Sequence, residues 1–419
     1  MTTRDILKLE NKVLPWDAYT VRQDFPILTR TMNDAPLVYL DNAATSQKPI
    51  CVIDRLMRFY TQENANVHRG IYALAEQATA QFENVRKIVK TFIHAKNKDE
   101  IIFTKGATEA INLVAGSYGK AHLKAGDEII ISELEHHANI VPWQMLALEN
   151  NLILRTIPIL ETGDLDLKAY EKALNQKTAL VCLTHVSNAI GTINPVKSMI
   201  KHAHEVGARV LIDACQSVVH MPLNVQEMDC DFLVFSSHKI YGPTGVGVLY
   251  AKETILADMP PYQGGGDMIK LVTFERTEYA DPPLRFEAGT PNIADVIAFG
   301  TAIEYLSQFA FDSIIAYEHE LLDYALQGLQ DIEGLRVVGT PHVHAPIVSF
   351  TMQSAHPHDI STIISQSGIA VRAGHHCAMP TTRALGVPAT VRVSMAFYNT
   401  FSELDLLFNA LNIVNKVFG

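Results

Sequence analysis

The feature that most constrains this chain is a regular alternation of short apolar runs with stretches of helical spacing through its first two thirds. The runs at 101–104, 128–131, 152–159, 179–183, 210–213 and 232–235 are rich in β-branched and aliphatic residues. Between them, 107–118, 138–149 and 196–206 carry apolar residues at helical spacing. Strands covered on both faces read as near-continuous apolar runs, and parallel neighbours need a crossover, usually a helix. The pattern therefore predicts an α/β fold built on a mostly parallel sheet. After about Pro291 the rhythm changes. Helices over 299–306 and 317–332 precede strands at 347–352, 370–373 and 391–395, with a helix over 360–366 and a last one from Glu403. That order reads as a smaller α+β domain.

A chain of 419 residues, 48% of them hydrophobic, has ample apolar content for a large core. The formal net charge of −11 leaves no basic footprint for nucleic acid or an anionic membrane. The start, MTTRDILKLENKV, lacks the basic and then apolar pattern of a secretory signal, and no apolar run reaches the length of a membrane span. Cys51, Cys182, Cys215, Cys230 and Cys377 are odd in number and scattered, unlike a disulfide framework. The expectation is a cytoplasmic enzyme.

In open parallel sheets ligands sit at the carboxyl ends of the strands. Polar residues just after the predicted strands are therefore the candidates for chemistry. Ser236-Ser237-His238-Lys239 follows one such strand and leads into Tyr241-Gly242-Pro243-Thr244-Gly245. A lysine boxed in this way can form a Schiff base with an aldehyde cofactor, since burial favours its neutral, nucleophilic form. The plainer alternative is a surface lysine in a turn. Asp213 closes another apolar run, 26 residues before Lys239. A buried carboxylate needs a cationic partner, and a protonated pyridine nitrogen is one; a helix N-cap is the competing explanation. Lys105-Gly106-Ala107-Thr108-Glu109 is a small-residue turn feeding a helix, suited to a phosphate but lacking the spacing of a Walker loop.

Glu133-Leu134-Glu135-His136-His137-Ala138-Asn139 follows a further strand. A histidine there can stack on a ring and carry protons. Adjacent histidines also suggest a metal, although two ligands on one helix face stand three or four residues apart. In the second half, Val371-Arg372-Ala373-Gly374-His375-His376-Cys377-Ala378-Met379-Pro380 sets a cysteine among histidines near an arginine, a route to thiolate character. An inert buried cysteine or a zinc site are the alternatives. The His342/His344 and His356/His358 pairs keep zinc in play, without any C-x-x-C or H-E-x-x-H spacing to support it. Arg392, inside the apolar run Val391-Arg392-Val393, is costly unless it meets an anion such as a substrate carboxylate or a structural partner. Cys182 and Cys230 read as core, Cys51 opens a helical run, and Cys215 is ambiguous because it neighbours Asp213.

Taken in order, these segments resemble the cysteine desulfurases of the class V aminotransferase group, fold-type I pyridoxal-phosphate enzymes, and within them the Suf type; selenocysteine lyases are near relatives. The resemblance runs from Val38-Tyr39-Leu40-Asp41-Asn42-Ala43-Ala44-Thr45, through Val67-His68-Arg69-Gly70, to Val391-Arg392-Val393-Ser394-Met395-Ala396-Phe397-Tyr398-Asn399-Thr400. It implies a large cofactor domain over 31–295, a small domain over 296–419 carrying the catalytic cysteine, and an N-terminal segment, 1–30, packed on the small domain.

It further implies pyridoxal 5'-phosphate held by Lys239, with Asp213 at the pyridine nitrogen, His136 on the ring and Gln216 at the ring oxygen. Thr108, Ser236 and His238 would bind the phosphate, and Thr290 would reach the phosphate of a partner subunit. Arg392 and Asn188 would hold the substrate carboxylate, with Arg372 nearby. His68 and Arg69 would approach the neighbouring active site of a homodimer. Cys377 would take sulfur from L-cysteine, releasing alanine. The short Gly374–Cys377 loop implies hand-over to a dedicated acceptor protein of the Suf system, for iron–sulfur cluster assembly. Selenocysteine is the alternative substrate. Ser237 departs from the family pattern, which has glycine there, and raises the question of crowding at the phosphate.

Overall fold

The computed structural model describes residues 17–418. Its central sheet has seven strands: β1 (Ile101–Thr104), β2 (Glu128–Ser132), β3 (Ile153–Ile157), β4 (Thr178–Thr184), β5 (Arg209–Asp213), β6 (Phe232–Ser236) and β7 (Gly247–Ala251). Their order across the sheet is β1-β7-β6-β5-β4-β2-β3. Only β7 runs against its neighbours; β2 to β6 pair in parallel. Every residue of β1, β2, β6 and β7 is buried, which is why these strands are apolar without alternation. β3, at the sheet edge, exposes most of its length.

The crossovers place α1 (Ile50–Arg58), α2 (Ala73–Phe92), α3 (Ala107–Val114), α4 (Val141–Asn150), α5 (Val196–Glu205) and α6 (Ile293–Leu306) on and around this sheet. The 20-residue α2 buries Ala75, Ala78, Phe82, Val85 and Val89, the spacing of one helix face. Neither β7 nor α2 is among the elements expected from the sequence runs above. β7 is five residues long and opens on Gly247, a weak strand signal, while α2 does carry helical spacing, with alanines and charged residues thinning its apolar face.

Beyond α6, α7 (Phe311–Gln330), α8 (Pro357–Ser365), α9 (Met379–Ala384) and α10 (Phe401–Phe418) accompany a second sheet. That sheet orders β8 (Leu335–Val338), β9 (Ile347–Met352), β10 (Arg372–Gly374) and β11 (Thr390–Ser394) as β8-β9-β11-β10, all antiparallel. The run expected as one strand over 370–373 is two. Ile369–Ala370 pairs in parallel with Val38–Tyr39, and Arg372–Gly374 turns away to pair with β11. The break at Val371 is what aims the cysteine loop.

Buried apolar side chains form two principal clusters. One surrounds the seven-stranded sheet and takes in α6, Ile314, Phe397 and Tyr398. The other joins α7, α8, α10 and the four-stranded sheet with Val38 and Leu40. Phe25 sits in the larger cluster, edge-on to Tyr241, Tyr305 and Phe397, while Arg22 on the same segment pairs with Glu403 of α10 at 2.8 Å.

Candidate active site

The carboxyl ends of β5 and β6 face the Cys377 loop across a cavity of about 150 Å³, and the walls include Lys239, Asp213, His136, Cys377, Arg372 and Arg392. Lys239 ends a 3₁₀ turn, Ser237–Lys239, directly after β6. The turn is held by its own carbonyl: His238 O accepts hydrogen bonds from the Ser46 N–H at 3.0 Å, Thr45 Oγ1 at 3.0 Å and Lys48 Nζ at 3.1 Å. Burial brings Lys48 down to about 8. Tyr241 stands at φ +61° and donates its N–H to Ser46 Oγ at 2.8 Å. Thus the segment 45–48, which the sequence did not single out as chemistry, shapes the lysine turn.

Asp213 closes β5 and is 5% exposed. Its Oδ1 accepts the Cys215 N–H at 2.9 Å, and no Lys, Arg or His of the described residues pairs with it. Cys215 lines the same cavity, its thiol pushed up by burial and by the Asp213 charge. His136 accepts the Ala138 N–H on Nδ1 at 3.0 Å, so its proton resides on Nε2. Burial, and then the Lys239 charge, pull its pKa down to about 4. The imidazole is neutral at pH 7.

An open groove of about 580 Å³ adjoins the cavity, bounded by the Lys105–Thr108 turn, Ser236, His238 and Thr244. Here the N-terminus of α3 meets the end of β6, and the Ala107 N–H donates to Ser236 Oγ at 2.9 Å. The turn packs so closely on β7 that a Cβ on Gly247 would lie 2.4 Å from Gly106 Cα. Ser237 resolves the question its identity raised: it is fully buried with Oγ against Gly242, and it lines neither cavity nor groove.

The cysteine loop passes through left-handed backbone, with φ +127° at Gly374, +55° at His376 and +56° at Cys377. Cross-links to the large sheet hold it there. The His137 N–H donates to Cys377 O at 2.7 Å, and Asn188 Nδ2 donates to His376 O at 2.7 Å. His376 is 3% exposed, contacts Thr390 Oγ1 through Nε2 at 2.7 Å, and is pulled down to about 2 by burial, then by Arg392 and Arg372. Arg372 Nη2 stands 3.9 Å from Cys377 Sγ. Arg392, 1% exposed, donates to Asn188 O at 2.8 Å and to Asp41 Oδ1 at 2.7 Å, while its Nε is unpartnered. Asp41 is a partner that sequence inspection gave no role, although it lies in a quoted motif.

Four predicted residues lie apart from this cavity. Gln216 is buried and donates to Ala43 O at 2.9 Å. His68 pairs with Glu83 at 3.2 Å, and Arg69 with Asp267 at 2.7 Å. Thr290 lines a neighbouring cavity of about 480 Å³ that shares Lys105, Glu109, Gly245 and Tyr262 with the groove. In the second half, His342 binds Asp164 and His344 binds Ile347 O, while His356 and His358 stack on each other with ring centres 5.3 Å apart. Among the described residues, no three His, Cys, Asp or Glu side chains converge as a metal site would require.

The donor set fits one chemical group. A lysine amine, a buried carboxylate without a cation and a neutral imidazole surround a space continuous with a helix N-terminus. An aromatic aldehyde with a basic ring nitrogen and a phosphate would satisfy each. A family model, aminotransferase class-V, matches residues 38–407. The chain belongs to this family. Class-V members are pyridoxal-phosphate enzymes of fold-type I, and pyridoxal phosphate is the cofactor here. A probable cysteine desulfurase of Mycolicibacterium paratuberculosis is 50% identical over 396 residues, 94% of this chain and 58% of that protein. A cysteine desulfurase of Dickeya dadantii is 48% identical over 400 residues, 95% of this chain and 97% of that one. The crystal structure of the cysteine desulfurase CsdA from Escherichia coli matches with a TM-score of 0.91 at 36% identity, covering 97% of this chain and 100% of the other. The class-V chain spans 58–65% of the length of the first curated relatives it matches.

Proposed function

We propose that this protein is a cysteine desulfurase that converts L-cysteine to L-alanine and takes the sulfur on Cys377. The observation that carries this reading is the entry of a loop thiol into a cofactor cavity: Cys377 and Lys239 line the same space although 138 residues separate them. Transamination or decarboxylation needs no such thiol. The relatives that match at 48–50% identity are named cysteine desulfurases, which supports the same reaction.

In this reading Lys239 would hold the cofactor, Asp213 would pair with its ring nitrogen, and His136 would stack on the ring. Gln216, which donates to the O of Ala43 in the cavity wall, would contact the ring oxygen. Thr108, Ser236 and His238 bind the phosphate, joined by Thr290 from a partner subunit. When bound, pyridoxal phosphate withdraws electrons from the substrate and makes its Cα proton acidic. The Lys239 amine takes that proton, and His136, neutral at pH 7, relays protons. Arg392 and Asn188 hold the carboxylate. Arg372, beside the sulfur, favours the thiolate of Cys377. That thiolate attacks the substrate sulfur: an S–S bond forms, the Cβ–S bond breaks, and Cys377 is left as a persulfide. The electron pair of the broken Cβ–S bond stays with the carbon skeleton, which regains its Cα proton from Lys239 and takes at Cβ the proton that left the Cys377 thiol, relayed by His136.

The proposal extends to a cytoplasmic homodimer in which His68 and Arg69 approach the neighbouring site. A short, cross-linked cysteine loop cannot carry sulfur far, so an acceptor protein of the Suf system docks near it, supplying iron–sulfur cluster assembly. No helix among the described residues is long and apolar enough to cross a membrane.

The test is to incubate purified protein with L-cysteine and measure alanine and persulfide sulfur together. Equal amounts of both, with Cys377→Ser giving neither while keeping its cofactor, are expected. Alanine production by Cys377→Ser at the wild-type rate would refute the role of this thiol. Relative rates on selenocysteine and cysteine test the lyase alternative.

A further inference from the structure

Arg86 of α2 is fully buried, yet it lies outside the cavity and the reaction proposed above makes no use of it. All five of its N–H donors are committed. Nε donates to Glu83 Oε2 at 3.1 Å. Nη1 donates to Ile101 O at 2.7 Å and Glu287 Oε1 at 2.8 Å. Nη2 donates to Glu287 Oε2 at 3.0 Å and Glu83 Oε1 at 3.1 Å. The guanidinium carbon also stands 4.7 Å from the centre of the Phe103 ring.

Burying an ion pair is weak support for stability, because well-packed apolar side chains of similar volume often do as well. What apolar side chains cannot do is fix several acceptors in one plane. The acceptors of Arg86 belong to three segments: two lead to residues assigned to a cofactor phosphate, Thr108 and Thr290, and the third to His68, assigned to the neighbouring active site. Ile101 opens β1, which ends in the Lys105–Thr108 turn. Glu287 stands three residues before Thr290 and also takes the Phe103 N–H at 2.7 Å, joining its loop to β1. Glu83 binds His68 Nε2 at 3.2 Å, next to Arg69. Burial raises Glu83, but hydrogen bonds from His68 and Arg86 bring it down to about 2, so it remains an anion at neutral pH.

We infer that Arg86 is a positioning residue for the phosphate end of the cofactor site: one buried guanidinium holds the Thr108 turn, which serves the phosphate of its own subunit, and the Thr290 loop, which serves the partner's, together with the His68 segment. This rests on the assignment of Thr108 and Thr290 to the phosphate. It distinguishes Arg86 from an ordinary core ion pair, because its effect passes to a ligand group it never touches.

The experiment is equilibrium dialysis of cofactor-freed protein against pyridoxal phosphate and, separately, pyridoxal, which lacks the phosphate. Arg86→Met and Glu287→Gln are compared with wild type, and Glu83→Gln, at the partly exposed end of the network, serves if the first two do not fold. Residues that orient the ligands of a bound metal commonly contribute about 10–100-fold in affinity, and a phosphate cradle held from behind is expected on the same scale. The expected result is a rise of about tenfold or more in the Kd for pyridoxal phosphate, with the Kd for pyridoxal within about twofold of wild type. Arg86→Lys, which keeps the charge but not the fork, should fall between. Equal weakening of both ligands, or of neither, would overturn the inference and leave Arg86 a structural residue. Failure of the wild type to take up pyridoxal phosphate would instead overturn the cofactor assignment beneath it.

Discussion

Gly247 gives the sharpest test of how the sheet builds the groove proposed to take the phosphate. It opens β7, and its α-carbon faces the Lys105–Thr108 turn; a Cβ there would lie 2.4 Å from both Cα and C of Gly106. Carbon atoms not bonded to each other rest about 3.5–4.0 Å apart. Gly247→Ala therefore requires a retreat of about 1 Å or more by one side. β7 cannot provide it, because it is paired on both edges, with β6 and with β1, and all its residues are buried. The turn must move, carrying Ala107 and Thr108 with it. Overpacking of this kind costs about 1–3 kcal/mol, and if it falls on the bound state it weakens pyridoxal phosphate by about 5–150-fold. The assay is dialysis of the holoenzyme at fixed volume, with retained cofactor quantified, alongside the melting temperature of the cofactor-freed protein. Gly247→Ala that retains cofactor as wild type does would refute the claim that this close approach sets the groove.

Other consequences follow from the same geometry. Arg392→Lys removes the planar fork that Asp41 and Asn188 hold in place; KM for L-cysteine should rise by about tenfold or more while cofactor retention is unchanged, and an unaltered KM would exclude Arg392 from carboxylate binding. His185 and His376, 9% and 3% exposed, have pKa values drawn down by burial to about 4 and about 2. Below about pH 6.5 the unfolded chain gains protons that these folded histidines refuse. Their contribution to stability is therefore complete above that pH and lost as pH falls toward 4, by up to about 1.4 kcal/mol per pH unit each. Glu135, raised to about 8 by burial, opposes them by one proton. Urea unfolding at pH 7 and pH 5 should show the net loss; equal or greater stability at pH 5 would contradict it. Trp143→Phe should destabilise the protein by about 1–3 kcal/mol, because Trp143 Nε1 donates to buried Asn139 at 2.9 Å and Asn139 would lose that partner; an unchanged urea midpoint would count against it.

Much of the site was legible because the chemistry sits where parallel strands end. Lys239, Asp213 and the Lys105–Thr108 turn each follow an apolar run, the position that made them candidates; a surface lysine, a helix N-cap and an ordinary βα turn were the competing explanations, and what gathers the three is that they line one cavity and its adjoining groove. Arg392 stood out for a different reason, a charge inside an apolar strand. Residues whose importance comes only through a partner were not legible. Asp41 is an ordinary polar residue until Arg392 is placed beside it, and Arg86 is an ordinary helical arginine until Ile101 and Glu287 arrive. Ser237 shows the converse: its identity suggested crowding at the phosphate, and its direction, toward Gly242, removes the conflict.

The sequence by itself determined the fold class and the parallel central sheet, and it marked the residues proposed for the chemistry, because apolar periodicity and residue type are local properties of the chain. Only the tertiary structure decided that the Cys377 loop enters the Lys239 cavity. That depends on the break at Val371, which sends Ile369–Ala370 to Val38–Tyr39 and Arg372–Gly374 to β11. It depends also on hydrogen bonds from His137 and Asn188, two residues of the large sheet's loops, to the backbone of the cysteine loop. Strand pairing between distant segments and bonds to backbone carbonyls leave little trace in residue type, since any residue has a carbonyl to offer.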